Sequence, residues 1–436
     1  MRLCYLQNSW LKYSMMMRWL VGLVFVAAMP CNATGKTLQP YKTLAVSDFY
    51  KATNNRLFWF HDSLDHSRRQ QLIKQLEQCG LLGLNPDDYD INALKANLDI
   101  GAQATDTMIA ADHLYTTAAL TYLADVLKGN ARNGITGNDA LAVREDDTDR
   151  QLVTGALLAC TTSRALDSVV ATLEPTTPEY TNLKKKLIVV QGADSIALLH
   201  IALNSYRRIH HLHYTRCVVV NIPSGLLRYY EHDSLMAEMR VVTGKPSTPT
   251  PRFSAYCDEV ILYPYWNVPR SIAINEILPF CKSNPAILSL MNMQVLDEKG
   301  RVMDASKIKW KDYNGNNFPY RFRQSTGCDN ALGVMNFNLD SPYGVYLHDT
   351  NFKSAFAAKK RYFSHGCIRI EKPLMLADLL LDAPVDSTML QACLKEELPK
   401  ALRITTPVPV FVVYVRAGVD AKDSVVFYDD VYGLRY

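Results

Sequence analysis

Residues Arg361–Pro373 read RYFSHGCIRIEKP: a histidine two positions before a cysteine, a glycine between them and an arginine two positions after. A thiol is a weak nucleophile until it ionises. A catalytic cysteine therefore needs a base or a positive field to lower its pKa, and a third group to orient the base. Cys367 and His348 have the types for such a pair. His348 ends an apolar run, YGVYLHD, and Cys367 begins another, HGCIRI, nineteen positions later. That interval leaves room for a loop returning one strand beside the other, so that the two side chains meet at a sheet's end. Asp349 can hold the imidazole through its carboxylate or its backbone carbonyl. Gly366 lets the backbone approach a substrate closely, with the amides of Gly366 and Cys367 available to a developing oxyanion. Taken alone, these residues leave a metal ligand, half a disulfide and a buried structural thiol open as alternatives.

Composition narrows the chemistry. The formal charge is +4, and Arg2, Lys12 and Arg18 supply three of those charges ahead of residue 34, so the remainder is nearly neutral and gives no basic surface for nucleic acid. Ten cysteines are present. Beyond Cys4 and Cys31 they are Cys79, Cys160, Cys217, Cys257, Cys281, Cys328, Cys367 and Cys393, with no CxxC pair and no zinc-like spacing. The missing CxxC pair also disfavours thiol-redox chemistry. A working thiol at Cys367 leaves an odd number, so at least one other cysteine lacks an intrachain partner. Cys328, in RQSTGCDNALG, is either a disulfide partner or a bystander. The cluster His210, His211 and His213 has no carboxylate or cysteine at ligand spacing, and no metal is expected there. In TGKPSTPTP, Pro246 stands where a phosphate loop needs Ser or Thr, and the nucleotide reading fails.

The elements that must position this pair fall into two regimes. Trp19 to Met29 is apolar but short for a membrane span, so residues 1–33 read as a secretory signal peptide cleaved after Ala33, with an uncleaved anchor as the alternative. The expected location is the periplasm or cell envelope. Residues 34–213 have helical periodicity: Leu72, Ile73, Leu76 and Cys79 before Gly80; Met108, Ala111, Tyr115, Ala119, Tyr122 and Val126 after a cap at Asp106; then Arg150 to Leu173 and Asp194 to Ile209. After Tyr214 the pattern turns to strands, Cys217–Asn221, Leu226–Tyr230 and Leu235–Val242, as a meander. Strands resume at Leu332–Leu339 and Gly344–His348, and Val408–Val415 with Ser424–Tyr428 form a closing pair. The expected fold is α+β: a helical scaffold over 34–213, then a β domain in two parts, 214–276 and 321–436, interrupted by a capping subdomain, 277–320.

The string SHGCIRI, with a histidine nineteen residues before its cysteine in YLHDT, resembles the signature of the L,D-transpeptidases (YkuD-type catalytic domain). VVNIPSGLLRYYE, MRVVTGKPSTPTPRFS, YPYWNVPRSIAINEIL, DNALGVMNFNLDSPYGVYLHDT and FYDDVYG are similar to the larger YcbB-like branch, in order from about Cys217 to Gly433. The resemblance implies Cys367 as nucleophile, His348 as base, and His365 with Gly366 shaping the oxyanion site. Arg369 would steady the loop or meet a substrate carboxylate. Tyr346, Trp266 and Asn267 would line the donor cleft, with Arg270 and Ser364 among the substrate-facing residues; Trp266 fits core packing and Arg270 a structural ion pair equally well. The implied reaction is acyl transfer from a peptidoglycan stem tetrapeptide to an amine, releasing D-alanine and forming 3-3 cross-links without metal or cofactor. Stem peptides are the implied partners, carbapenem-type β-lactams the implied covalent inhibitors, and other cell-wall synthesis proteins further partners. An L,D-carboxypeptidase and a non-catalytic wall-binding scaffold are the rivals. Residues 175–195 are too few for the peptidoglycan-binding module common in this branch.

Overall fold

The computed structural model describes residues 40–434, apart from 62–64, 101–104, 131–146, 163–164, 212–213, 382 and 395–396. The signal-peptide segment and His213 lie outside the described residues. Helices come first: α1 (Pro40–Ala52), α2 (Asp65–Glu77), α3 (Ile91–Ala96), α4 (Thr105–Lys128), α5 (Asp147–Leu158), α6 (Ala165–Leu173), α7 (Pro178–Val189) and α8 (Ala193–His211). On α4 the residues Ala111, Tyr115, Ala119, Tyr122 and Val126 are buried, one apolar stripe at helical spacing. Asp106 does not cap this helix. It sits in the first turn, where a carboxylate meets the positive end of the helix dipole. The single stretch expected over 150–173 is two helices, α5 and α6.

The helical region is also not one packing unit. Phe49, Trp59, Leu72, Tyr115, Tyr122 and Leu157 share one core across α1 to α6. Tyr180, Leu183, Leu199, Leu203 and Ile209 of α7 and α8 form a second core with Cys217, Tyr230, Phe411, Val413 and Val415, which lie in or beside strands, while α8 also lies against α4.

The strands are β1 (Arg216–Asn221), β2 (Leu226–Glu231), β3 (Ser234–Gly244), β4 (Phe253–Leu262), β5 (Trp266–Asn267), β6 (Met293–Leu296), β7 (Val302–Met303), β8 (Arg321–Gln324), β9 (Met335–Leu339), β10 (Leu347–His348), β11 (Tyr362–Ser364), β12 (Ile368–Ile370), β13 (Lys400–Val413), β14 (Ala417–Val419) and β15 (Val425–Phe427). Nine of them form one sheet in the order β11-β3-β12-β10-β9-β4-β13-β1-β2, and β2 pairs back onto β3, so the sheet closes on itself. β1, β2 and β3 make the expected antiparallel meander. The expected closing pair does not form. β13 runs through the middle of the sheet, parallel to β1 and antiparallel to β4, while β15 pairs with β14. The reason is legible in burial: Val408 to Val413 are buried without alternation, the mark of a strand covered on both faces.

The insertion is wider than 277–320. β5, β6, β7 and β8 make its own four-stranded sheet, and Ala273, Ile277, Leu278, Trp310, Phe318 and Phe322 its own core. Cys328, just past β8, is disulfide-bonded to Cys393 beyond the helix Ser387–Gln391.

Candidate active site

β10 and β12 lie parallel and abreast, with Leu347 opposite Ile368 and His348 opposite Arg369. The amide of Ile368 donates to the carbonyl of Tyr346 at 3.1 Å. Strand alternation then sorts the side chains: Leu347, Ile368 and Ile370 enter the core, while Tyr346, His348, Cys367 and Arg369 share the opposite face. The loop 349–361 is the return that the nineteen-residue interval requires, and it makes the pairing parallel.

The Cys367 thiol is half-buried, with the hydroxyl and backbone of Tyr346 beside it. Burial pushes its pKa up; the Tyr346 contacts and the Arg369 charge oppose this without cancelling it. His348 is buried, its ring edge-on to Tyr346 at 5.7 Å between centroids. Its pKa is pushed down to about 3, first by burial and then by the Arg369 cation, against the Asp349 carbonyl. Nδ1 of His348 bonds that carbonyl oxygen at 2.5 Å. The Nδ1–H tautomer follows, leaving Nε2 for proton traffic. Of the two routes open to Asp349, the backbone one is used. Its carboxylate is engaged by Lys353 and by the Val334 amide at 3.0 Å, and a Cβ at Gly333 would overlap it.

The turn carrying the thiol is braced from several sides. Gly366 has φ 122°, which side-chain-bearing residues rarely adopt. Its amide donates to Ser364 Oγ at 3.1 Å. The Cys367 amide, by contrast, has no hydrogen-bond partner among the described residues. Ser364 is buried and also donates to the Cys367 carbonyl at 2.6 Å, so its hydroxyl braces the turn. The segment after β3 wraps the turn: the Lys245 amide and Thr248 Oγ1 bond the Ser364 carbonyl at 3.0 and 3.2 Å, and Thr250 Oγ1 bonds the Gly366 carbonyl at 2.7 Å. Tyr432 donates from its hydroxyl to the Gly244 carbonyl at 2.7 Å and accepts from the Thr250 amide at 3.2 Å.

Trp266 and Asn267 pair with Gln324 and Arg323 inside the insertion's sheet, where Trp266 packs on that core. Arg270 donates to the carbonyls of Phe318 and Gly315 at 3.1 and 3.4 Å, a bracing role within the insertion. Among the described residues no hydrogen bond joins these three to Cys367. His365 turns toward the insertion and meets Glu276 at 2.7 Å. Among the described residues, two polar atoms on the thiol's side of the sheet have no hydrogen-bond partner: Nε of Arg369, and Oδ1 of buried Asn336, which lies opposite His348 on β9. Unsatisfied groups of this kind in a native site await a ligand or water. His210 and His211 bond separate carboxylates, Asp233 at 2.7 Å and Asp149 at 3.1 Å, across packing seams.

Residues 215–410 match the family model described as the L,D-transpeptidase catalytic domain, YkuD, and residues 44–187 match a model described as a scaffold domain. The C-terminal half carries a YkuD L,D-transpeptidase catalytic domain. A Haemophilus influenzae protein, named provisionally as an L,D-transpeptidase, is 37% identical over 217 residues, which is 50% of this chain and 44% of that protein. The chain thus matches less than half the length of that relative. Among solved structures, L,D-transpeptidase 3 from Mycobacterium tuberculosis with a faropenem-derived adduct aligns over 46% of this chain and 60% of its own, at 13% identity and a TM-score of 0.22. An L,D-transpeptidase from Mycobacterium smegmatis aligns over 45% and 58%, at 15% identity and a TM-score of 0.19. Alignments this loose carry no part of the assignment. Residue reasoning missed Thr250, Asn336 and Glu276 within the matched domain, and Tyr432 beyond its last matched residue. Thr250 and Tyr432 stand in the strings TGKPSTPTP and FYDDVYG, whose similarity to the YcbB-like branch was the available signal.

Proposed function

We propose that the protein is a cysteine L,D-transpeptidase of the cell envelope, exported by residues 1–33, that joins peptidoglycan stem peptides through 3-3 cross-links. The observation that carries this reading is the shared face of β10 and β12, with Cys367, His348, Tyr346 and Arg369 together and Arg369 Nε unpaired. Thiol and imidazole are both neutral at rest, so ionisation accompanies substrate binding. Arg369 meets a carboxylate of the stem tetrapeptide, and neutralising that cation removes its repulsion of an imidazolium at His348. The Cys367 proton then passes to Nε2 of His348, while Nδ1–H holds the Asp349 carbonyl. The thiolate attacks the carbonyl of the third stem residue, and the oxyanion is met by the Cys367 amide and the Tyr346 hydroxyl, which burial keeps protonated. His348 returns the proton to the departing D-alanine amine. A thioester remains, and a second stem's amine, deprotonated by His348, takes the acyl group. Carbapenems would acylate the same thiol.

Incubation with a stem tetrapeptide, with dimers and tripeptides resolved by mass, tests the reading. Dimers are expected from the wild type and none from Cys367→Ala, and a carbapenem should add its mass to the wild type alone. Full turnover by the alanine variant would remove the proposal, and tripeptide as the sole product would make the enzyme a carboxypeptidase.

A further inference from the structure

The insertion meets the thiol-bearing turn through a feature set by its own sequence. Residues Ala273–Ile277 form one π turn between the α-helical residues Arg270–Ile272 and Leu278–Ser283. Pro279 has no amide to give the Asn275 carbonyl, and its ring crowds that carbonyl. The helix widens just before it, and the Leu278 amide reaches back five residues to the Ala273 carbonyl. Ala273, Ile277 and Leu278 are buried in the insertion's core, while Glu276 points out. Its Oε1 lies 2.7 Å from Nε2 of His365, two residues before Cys367 and next to Gly366. Among the described residues this is the one side-chain hydrogen bond between the insertion and the turn.

Magnitude decides what such a contact can do. The two side chains are 39% and 48% exposed. A pair that wet is too weak to hold a subdomain together, a task that the insertion's apolar core and its sheet perform. It is strong enough to bias a lid between two positions by a factor of up to about five. We propose that Glu276 is a positioning residue: its carboxylate latches the insertion onto His365 and so sets how much of the time the cleft over Cys367 is closed. The latch rests on the reading of Cys367 as the working thiol, and it makes the insertion a cover that substrate must displace and then re-engage.

Alkylation of Cys367 by iodoacetamide, followed by intact mass at a fixed pH above neutrality, reads access to the thiol whatever the natural substrate. Cys79, Cys160, Cys217, Cys257 and Cys281 are buried and react last. Glu276→Ala should be alkylated about three to five times faster than wild type. Glu276→Gln, whose amide oxygen still accepts from Nε2–H, should stay within about twofold of wild type. In a His365→Asn background, Glu276→Ala should add nothing, because the latch has already lost its partner. Equal alkylation of wild type and Glu276→Ala, or an undiminished effect in the His365→Asn background, overturns the latch. A wild type that is alkylated but leaves stem peptides untouched overturns the proposed function instead, and the alkylation comparison still decides the latch.

Discussion

Cys367 and His348 are both uncharged at rest because both are withdrawn from water, and Arg369 pulls on the two in a linked way: it favours the thiolate and disfavours the imidazolium. Replacing Arg369 with Gln should therefore move the alkaline limb of Cys367 alkylation to higher pH and slow alkylation at any fixed pH below it, measured as rate against pH. A shift to lower pH would take Arg369 out of the site's electrostatics. The depressed His348 pKa is also a statement about stability. The unfolded chain's histidine takes up a proton below about 6.5 while the folded one stays neutral down to about 3. The stabilising contribution is thus fully present above about pH 6.5 and is lost as pH falls from there toward 3. Between pH 7 and pH 5 the loss is about 2 kcal/mol. Urea unfolding at the two pH values should show it for the wild type, and His348→Asn should lose that part of the pH dependence; equal pH slopes would mean that His348 titrates normally in the folded protein.

At the level of elements, the turn 364–367 keeps its shape because the segment after β3 is folded against it. Gly244 has no room for a side chain, since a Cβ there would strike the backbone of Thr248 and Thr250. Thr250 Oγ1 accepts from the Gly244 amide at 2.8 Å while donating to the Gly366 carbonyl. Thr250→Val keeps the volume and strands both buried partners, at a cost of about 2 kcal/mol or more. Carbapenem acylation should fall about tenfold or more as the thiol turn drifts. Thermal melting together with acylation kinetics checks this, and an unchanged acylation rate in a destabilised variant would limit Thr250 to a folding role. These partners explain how far the sequence could be read. Cys367, His348, Gly366 and the return of one strand beside the other were accessible because spacing and strand grammar are local; that β10 and β12 run parallel was not. Thr250 and Glu276 reach the turn across 116 and 89 positions, and periodicity carries no record of such contacts. The hydroxyl of Ser364 turns to the Cys367 carbonyl, a direction that its neighbours along the chain do not give. The central course of β13 was missed because a buried run without alternation does not name its partners.

For the whole molecule, the question is where one domain ends. Sequence periodicity places the boundary at the change from helix to strand, between His211 and Arg216. Packing places it earlier. The scaffold match runs to residue 187 and so takes in most of α7, yet α7 and α8 bury Tyr180, Leu183, Leu199, Leu203 and Ile209 against Cys217, Tyr230, Phe411, Val413, Val415, Ala417 and Val419. Arg228 of β2 adds polar closure to this seam, donating to Tyr206 Oη at 3.4 Å. A fragment cut at residue 214 would expose that continuous apolar face to water, and a patch of this kind on a free domain drives association. Each buried Leu, Val or Phe contributes about 1.5–3 kcal/mol, so losing half the seam exceeds the margin of an ordinary domain. Residues 214–436 expressed alone should elute as aggregate and melt without a cooperative transition. Residues 175–436, which keep α7 and α8, should recover a cooperative melt and Cys367 acylation by a carbapenem, even though α8 then loses the contact of Asn204 with the Gly83 carbonyl. Size exclusion with light scattering and a thermal melt distinguish the two fragments. A monomeric 214–436 fragment with wild-type acylation would show that the helices α7 and α8 belong to the scaffold alone.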